Sequence, residues 1–143
     1  MTDDLYRQAI LEKAREAVGA GSLESPDARV VVENPVCGDR IVMEIRIADG
    51  TIAALAYKVR GCVLCQAAAS LIGSCAVGAD RDTVDAVGDA VAAIMEGTGE
   101  PPSGLWQDLA IFTSVAAHKS RHQCVLLPFE ALRRAFDAAA RTE

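Results

Sequence analysis

Hydrophobic positions change their period twice along this chain. Leu5, Tyr6, Ile10, Ala14 and Ala17 recur at helical spacing, which predicts an opening helix that Asp3 or Asp4 could cap. The helix ends near Gly19 and Gly21, and residues 21–27, with Ser22, Ser25 and Pro26, read as a loop. The period then drops to two. Val30, Val31 and Val32 sit in a short strand predicted over Arg29–Glu33. Asn34-Pro35-Val36-Cys37-Gly38-Asp39 has the composition of a tight turn. Arg40–Ala48 is the clearest strand, with Ile41, Met43, Ile45 and Ile47 on one face and Arg40, Val42, Glu44 and Arg46 on the other. Asp49-Gly50 signals a two-residue hairpin, and Thr51–Val59 returns as the partner strand.

After Gly61 the pattern is helical to the end. Residues 62–77 form one predicted helix, and Asp80–Met95 a second with Val84, Val87, Val91 and Met95 in register. Residues 97–104, with Pro101 and Pro102, connect to a third helix over Leu105–Ala117. The last runs from Pro128 to Arg141, because proline suits a first helical position where no backbone donor is needed. Strands first and helices afterwards predict an α+β fold: a three-stranded antiparallel sheet with helices packed on one face, an N-terminal helix and a helical C-terminal half. The length suits one domain spanning residues 1–143.

Composition sharpens this picture. The chain is 51% hydrophobic but only 4% aromatic, with 26 alanines, so its core is built from small and aliphatic side chains on closely packed helices. Fourteen basic against 20 acidic residues, net −6, disfavour nucleic acid as a partner and adhesion to an anionic membrane. Gly61–Ala79 carries no charge and has the length of a membrane span. Its Cys62, Cys65, Gln66, Ser70, Gly73, Ser74 and Cys75 gain little from lipid, so it reads as a buried helix. Met1-Thr2-Asp3-Asp4 lacks the basic start and apolar run of a secretory signal, and a cytoplasmic protein is expected.

The candidate chemistry lies in the cysteines. There are five, Cys37, Cys62, Cys65, Cys75 and Cys124, and an odd count without a secretory signal does not suggest a disulfide framework. Cys37 falls in the turn before the second strand, Cys62 where the third strand becomes a helix, and Cys124 in the connection before the final helix. Antiparallel pairing returns Cys62 to the end of the sheet that holds Cys37, with Asp39 two residues further on; the place of Cys124 is not fixed by pairing. Three thiolates and a carboxylate could complete a four-coordinate zinc site, or hold an iron–sulfur cluster that the harder oxygen ligand makes easier to release. Cys62, at a helix N-terminus, is also a candidate nucleophile or sulfur acceptor. With Cys65 it makes a C-x-x-C pair, a thiol–disulfide motif, although the βαβ context of that motif is missing. Cys75 reads as a small buried apolar residue, His118 and His122 as surface residues, and Lys119 and Arg121 as solvated.

At these residues the sequence resembles the U-type iron–sulfur cluster assembly proteins: IscU, SufU and the N-terminal part of NifU. Asn34–Asp39 is similar to the first motif of the family. Gly61-Cys62 followed by Ala67-Ala68-Ala69-Ser70 is similar to the second, and Arg121-His122-Gln123-Cys124 to the third. The resemblance implies that Cys37, Asp39, Cys62 and Cys124 are the ligand set, holding zinc or an iron–sulfur cluster of the 2Fe–2S type. It implies that a cysteine desulfurase delivers sulfur to Cys124 or Cys62, and that apo iron–sulfur proteins receive the cluster. A scaffold or carrier is expected rather than an enzyme; the alternative is a zinc-dependent persulfide sulfurtransferase. The SufU branch fits better, on the 62 residues separating Cys62 from Cys124 and on Arg121. The region 80–103 would then be an insertion. The histidine that IscU-type members carry immediately before the last cysteine is replaced by Gln123, with His122 one residue earlier. Two further departures are Cys65 and the stretch Ala116-Ala117-His118-Lys119-Ser120, which stands where a proline-containing approach is common.

Overall fold

The computed structural model describes residues 3–36 and 38–141. Strands β1 (Ala28–Asn34), β2 (Asp39–Ala48) and β3 (Thr51–Arg60) form one antiparallel sheet in the order β1-β2-β3. Asp49 and Gly50 both take positive φ, 55° and 78°, the twist-matched geometry of a two-residue hairpin. The predicted alternation of β2 holds on its inner face, where Ile41, Met43 and Ile45 are fully buried. Val42 and Glu44 on the opposite face are buried as well. The loop after the first helix folds over them, and the Leu23 amide donates to Glu44 Oε1 at 3.0 Å. That loop carries no hydrophobic period, so alternation alone could not place it.

Helix α1 runs over Asp3–Glu16, with Asp4 inside it; the side chain of Asp3 lies outside what is described. Helix α2 (Val63–Cys75) is buried on most of its circumference and lies against β3. Its small residues let α1 approach closely. A methyl group at Gly73 would sit 1.8 Å from the Val18 carbonyl oxygen, and Ser70 Oγ accepts from the Val18 amide at 3.1 Å. The uncharged stretch is therefore the central helix of the domain, and no helix among the described residues is long and apolar enough to cross a membrane. Helix α3 (Arg81–Glu96) starts as predicted, with the Asp80 carboxylate accepting from the Thr83 amide at 2.8 Å, and stops at Gly97 in the left-handed conformation.

The predicted third helix is present at Gly104–Ala117, as a 3-10 helix with a kink at Trp106. Trp106, Leu109, Phe112 and Val115 recur every third residue and all are buried; three residues per turn stacks them in one row, which a 3.6-residue turn would wind around the axis. The last helix, α4 (His122–Ala140), begins six residues before Pro128 after a 3-10 turn at Lys119–Arg121. A buried stripe through Cys124, Pro128, Ala131, Leu132, Ala135 and Ala139 carries the helix across the proline. Lacking an amide hydrogen, Pro128 leaves the Cys124 carbonyl without its usual intrahelical donor, so the first turn of α4 is less tightly tied than the rest. Helix α4 covers β1 and β2 beside α2, α1 packs on α2, and α3 packs against α4 and the 3-10 helix.

Candidate metal centre

Residues 39, 62 and 124 meet at one end of the sheet. One ligand atom from each of Asp39, Cys62 and Cys124 lies within 4.8 Å of the other two. Each arrives by a local rule. Asp39 is the first residue of β2, two before Ile41, so alternation turns its side chain onto the helix-covered face. Cys62 takes an extended conformation (φ −71°, ψ 172°) immediately before α2, so it stands at the helix N-terminus. Cys124 lies in the first turn of α4 on its buried stripe, not in a connection before the helix. The helix that was expected to begin after it is what aims its sulfur inward.

Cys37 lies outside the described residues. Its turn is nevertheless framed on both sides. The Asn34 side chain accepts from the Val36 amide at 3.0 Å, and the Gly38 amide donates to the Asn34 carbonyl at 2.8 Å. Gly38 has φ +78°, and Asn34 pairs with Asp39 across the strand ends.

Electrostatics at the cluster point to a cation. Asp39 is 4% exposed. Its Oδ1 accepts from the Cys62 amide at 3.3 Å, whereas Oδ2 is buried with no hydrogen-bond partner. A buried carboxylate oxygen without a donor is costly, and a metal ion is a partner that two adjacent sulfurs could share with it. Gly61 leaves the space: a methyl group there would lie 2.7 Å from Asp39 Oδ1. Cys124 is buried, and its thiol is pushed well above the ordinary range, first by burial and then by the neighbouring Cys62 and Asp39. Without a cation the site holds a proton on that sulfur; a cation reverses the balance by favouring the thiolate. Sulfur and carboxylate donors suit zinc, and sulfur-rich sets also suit iron–sulfur clusters, so the residues present fit either group.

The remaining candidates fall outside this group. Cys65 is fully buried in the core beneath the first turn of α2. Cys75 is buried too, and its sulfur donates to the Leu105 carbonyl at 3.4 Å. No disulfide forms among the described residues. His122 is half-buried rather than a surface residue, and its Nε2 lies 2.9 Å from the Ala116 carbonyl oxygen, which ties it to the stretch that precedes α4. His118, Lys119 and Arg121 are exposed. Sequence reasoning missed a cavity of about 340 Å³ beside the site, bounded by Arg7, Ile10, Val63, Leu64, His118 and Arg121. Its walls come from α1, α2, the 3-10 helix and the approach to α4, and no single stretch of sequence signals it.

Comparison with known proteins bears on the same residues. A family model for the NifU-like N-terminal domain matches residues 5–125. The chain belongs to that family. It is 27% identical to the zinc-dependent sulfurtransferase SufU of Bacillus subtilis, over 92% of this chain and 89% of that protein. It is 23% identical to the iron–sulfur cluster assembly scaffold protein IscU of Streptococcus pyogenes, over 97% and 87%. Among solved structures, a NifU-like N-terminal protein of Brucella abortus superposes with a TM-score of 0.92 at 30% identity, covering 99% of this chain and 98% of that one. A SufU-type protein of Fervidobacterium islandicum shares the fold, with a TM-score of 0.84 at 19% identity over 95% and 99%.

Two outcomes follow from this geometry. Zinc affinity, measured by chelator competition, should rise with pH between about pH 6 and about pH 8, because a proton held on Cys124 must leave before its sulfur binds metal. A pH-independent affinity would mean that no cysteine sulfur ligates the metal. Gly61→Ala should lower zinc affinity roughly tenfold or more by displacing Asp39, while circular dichroism shows a folded protein. Unchanged affinity in that variant would remove Asp39 from the site.

Proposed function

We propose that this protein is a scaffold or carrier for iron–sulfur cluster assembly, holding metal through Cys37, Asp39, Cys62 and Cys124 and accepting sulfur from a cysteine desulfurase. The observation that carries this reading is the buried Asp39 oxygen without a hydrogen-bond donor, next to the sulfurs of Cys62 and Cys124. Membership of the NifU-like N-terminal family and likeness to the scaffold IscU support it. The iron–sulfur cluster, of the 2Fe–2S type, is the cargo. It leaves for apo iron–sulfur proteins, and the single oxygen ligand, a harder donor than sulfur, eases its departure. On this reading the 143 residues work as one domain in the cytoplasm, where reduced thiols persist, with no nucleic acid or membrane involved.

Sulfur transfer requires an acceptor thiolate to attack the outer sulfur of a persulfide on the desulfurase. A new sulfur–sulfur bond forms on the acceptor, and the desulfurase cysteine leaves as a thiolate. Cys62 and Cys124 are the candidate acceptors. Cys62 is half-buried, whereas Cys124 is 2% exposed and holds its proton firmly. A docking partner therefore reaches Cys62 without displacing α4, and reaches Cys124 once the first turn of α4 opens. The cavity lined in part by Val63 offers the Arg7 and Arg121 guanidinium groups to an incoming persulfide.

The second reading is a zinc-dependent persulfide sulfurtransferase, favoured by the likeness to SufU and by a donor set of sulfur and one carboxylate that suits tetrahedral zinc. In it the metal keeps the thiols quiet until the desulfurase docks. Anaerobic reconstitution with iron, cysteine and a cysteine desulfurase separates the two. A scaffold yields a visible chromophore with two irons per chain that passes to an apo-ferredoxin. A sulfurtransferase instead retains one zinc, raises desulfurase turnover and forms no stable cluster. If the protein neither binds metal nor accelerates the desulfurase, both readings fail.

A further inference from the structure

The sheet has one open side. Residues 19–21 and 78–80 run along the outer edge of β3, with the Tyr57 amide donating to the Gly19 carbonyl at 3.0 Å and the Ile52 amide donating to the Ala79 carbonyl at 2.9 Å. Among the described residues no strand or bridge lies along the outer edge of β1. An open edge is normally blunted by proline, lysine, a bulge or a covering loop. Strand β1, Ala28-Arg29-Val30-Val31-Val32-Glu33-Asn34, has no proline or lysine, pairs with β2 without a register shift, and carries three consecutive valines. Val31 is 39% exposed.

The residues along this edge match a copy of themselves. If two β1 strands pair antiparallel about a two-fold axis at Val31, each Arg29 faces the Glu33 of the other chain, Val30 faces Val32, and Val31 faces Val31. Paired residues share a face, so the charged pairs fall on the outer face and Val30 and Val32 on the helix-covered one. The charges already in place fit this register. Arg40 Nε lies 3.1 Å from Glu33 and Arg29 Nε lies 3.9 Å from Glu44 on the same outer face. Pairing would extend them into a row of alternating sign, Arg40, Glu33, then Arg29 and Glu44 of the second copy. On the inner face a groove of about 400 Å³ runs between Val30 and Val31 of β1 and Arg134, Asp137, Ala138 and Arg141 of α4, leaving room beside the edge.

We propose that β1 is the interface of a two-fold homodimer in which two three-stranded sheets join edge to edge into one of six strands, with Val31 on the axis. The strand's charge order reads the same from both directions with its signs complementary, so the occupant that fits is a second copy of this chain.

Sedimentation velocity over a wide concentration range tests this. The native chain should show a reversible monomer–dimer equilibrium. Val31→Lys places like charges against each other on the axis and should raise the dimer dissociation constant roughly tenfold or more. Val77→Lys, at an exposed valine in the α2–α3 connection, should leave it unchanged. Val31→Cys provides a second readout that preserves the strand: a short bis-maleimide cross-linker should link two chains through residue 31, since facing β-carbons in such a pair lie about 4.5–5.5 Å apart. A native chain that stays monomeric at every concentration overturns the proposal. So does a dimer that Val31→Lys does not weaken and Val31→Cys does not trap.

Discussion

A carboxylate buried at the end of a strand is the constraint around which this molecule is arranged. Asp39 continues the parity of Ile41 and Met43, so the pleat that sends apolar side chains into the core sends a charged one after them. An ionised group in that position needs partners. The backbone supplies one, the Cys62 amide, and leaves Oδ2 without any. Gly61 keeps the approach open, and two cysteine sulfurs complete the surroundings. The cost of an unsatisfied buried oxygen is of order 1–3 kcal/mol or more, a sizeable share of the stability of a domain this size. A metal ion bound here would recover that cost and displace the proton that burial holds on Cys124, coupling binding to the integrity of this end of the sheet.

The sheet was legible because its signals are local. Alternation over Arg40–Ala48 and the Asp49-Gly50 turn define register, and register brings Asp39 level with Gly61 and Cys62. The structure puts Asp39 and Cys62 at the same end of the sheet, as antiparallel pairing requires; Cys37, which the sequence reading placed there too, lies outside the described residues. Cys124 could not be placed in this way, because it reaches the site on a helix that crosses the sheet, and crossing is decided by packing of the whole buried stripe of α4. Reading Pro128 as a helix start hid that stripe. A proline six residues into the helix is tolerated here because Val125, Leu127, Phe129 and Leu132 bury on both sides of it. The third helix was legible as a helix, but its 3-10 type shows only in the three-residue period of Trp106, Leu109, Phe112 and Val115, which packing makes decisive.

The family relationship and the local chemistry meet at the same residues without being the same argument. The resemblance of Asn34–Asp39, Gly61-Cys62 and Arg121–Cys124 to U-type proteins rests on sequence. The convergence of Asp39, Cys62 and Cys124 rests on distance and burial. The departures are informative in the same way. His122 is held by the Ala116 carbonyl, so its nitrogen is committed to the backbone of the preceding stretch while Gln123 occupies the position before the cysteine. Cys65, despite its C-x-x-C spacing, is packed in the core and shielded from solvent, as a small apolar residue would be.

The central claim is that residues from the sheet, from α2 and from α4 share one ion. Anomalous diffraction at the zinc and iron edges, from crystals grown without oxygen, tests it directly. The account predicts a metal peak bonded to a carboxylate oxygen of Asp39 and to the sulfurs of Cys62 and Cys124, with metal–sulfur distances of about 2.3 Å. A metal bound elsewhere, or one that leaves Cys124 unligated, would contradict it.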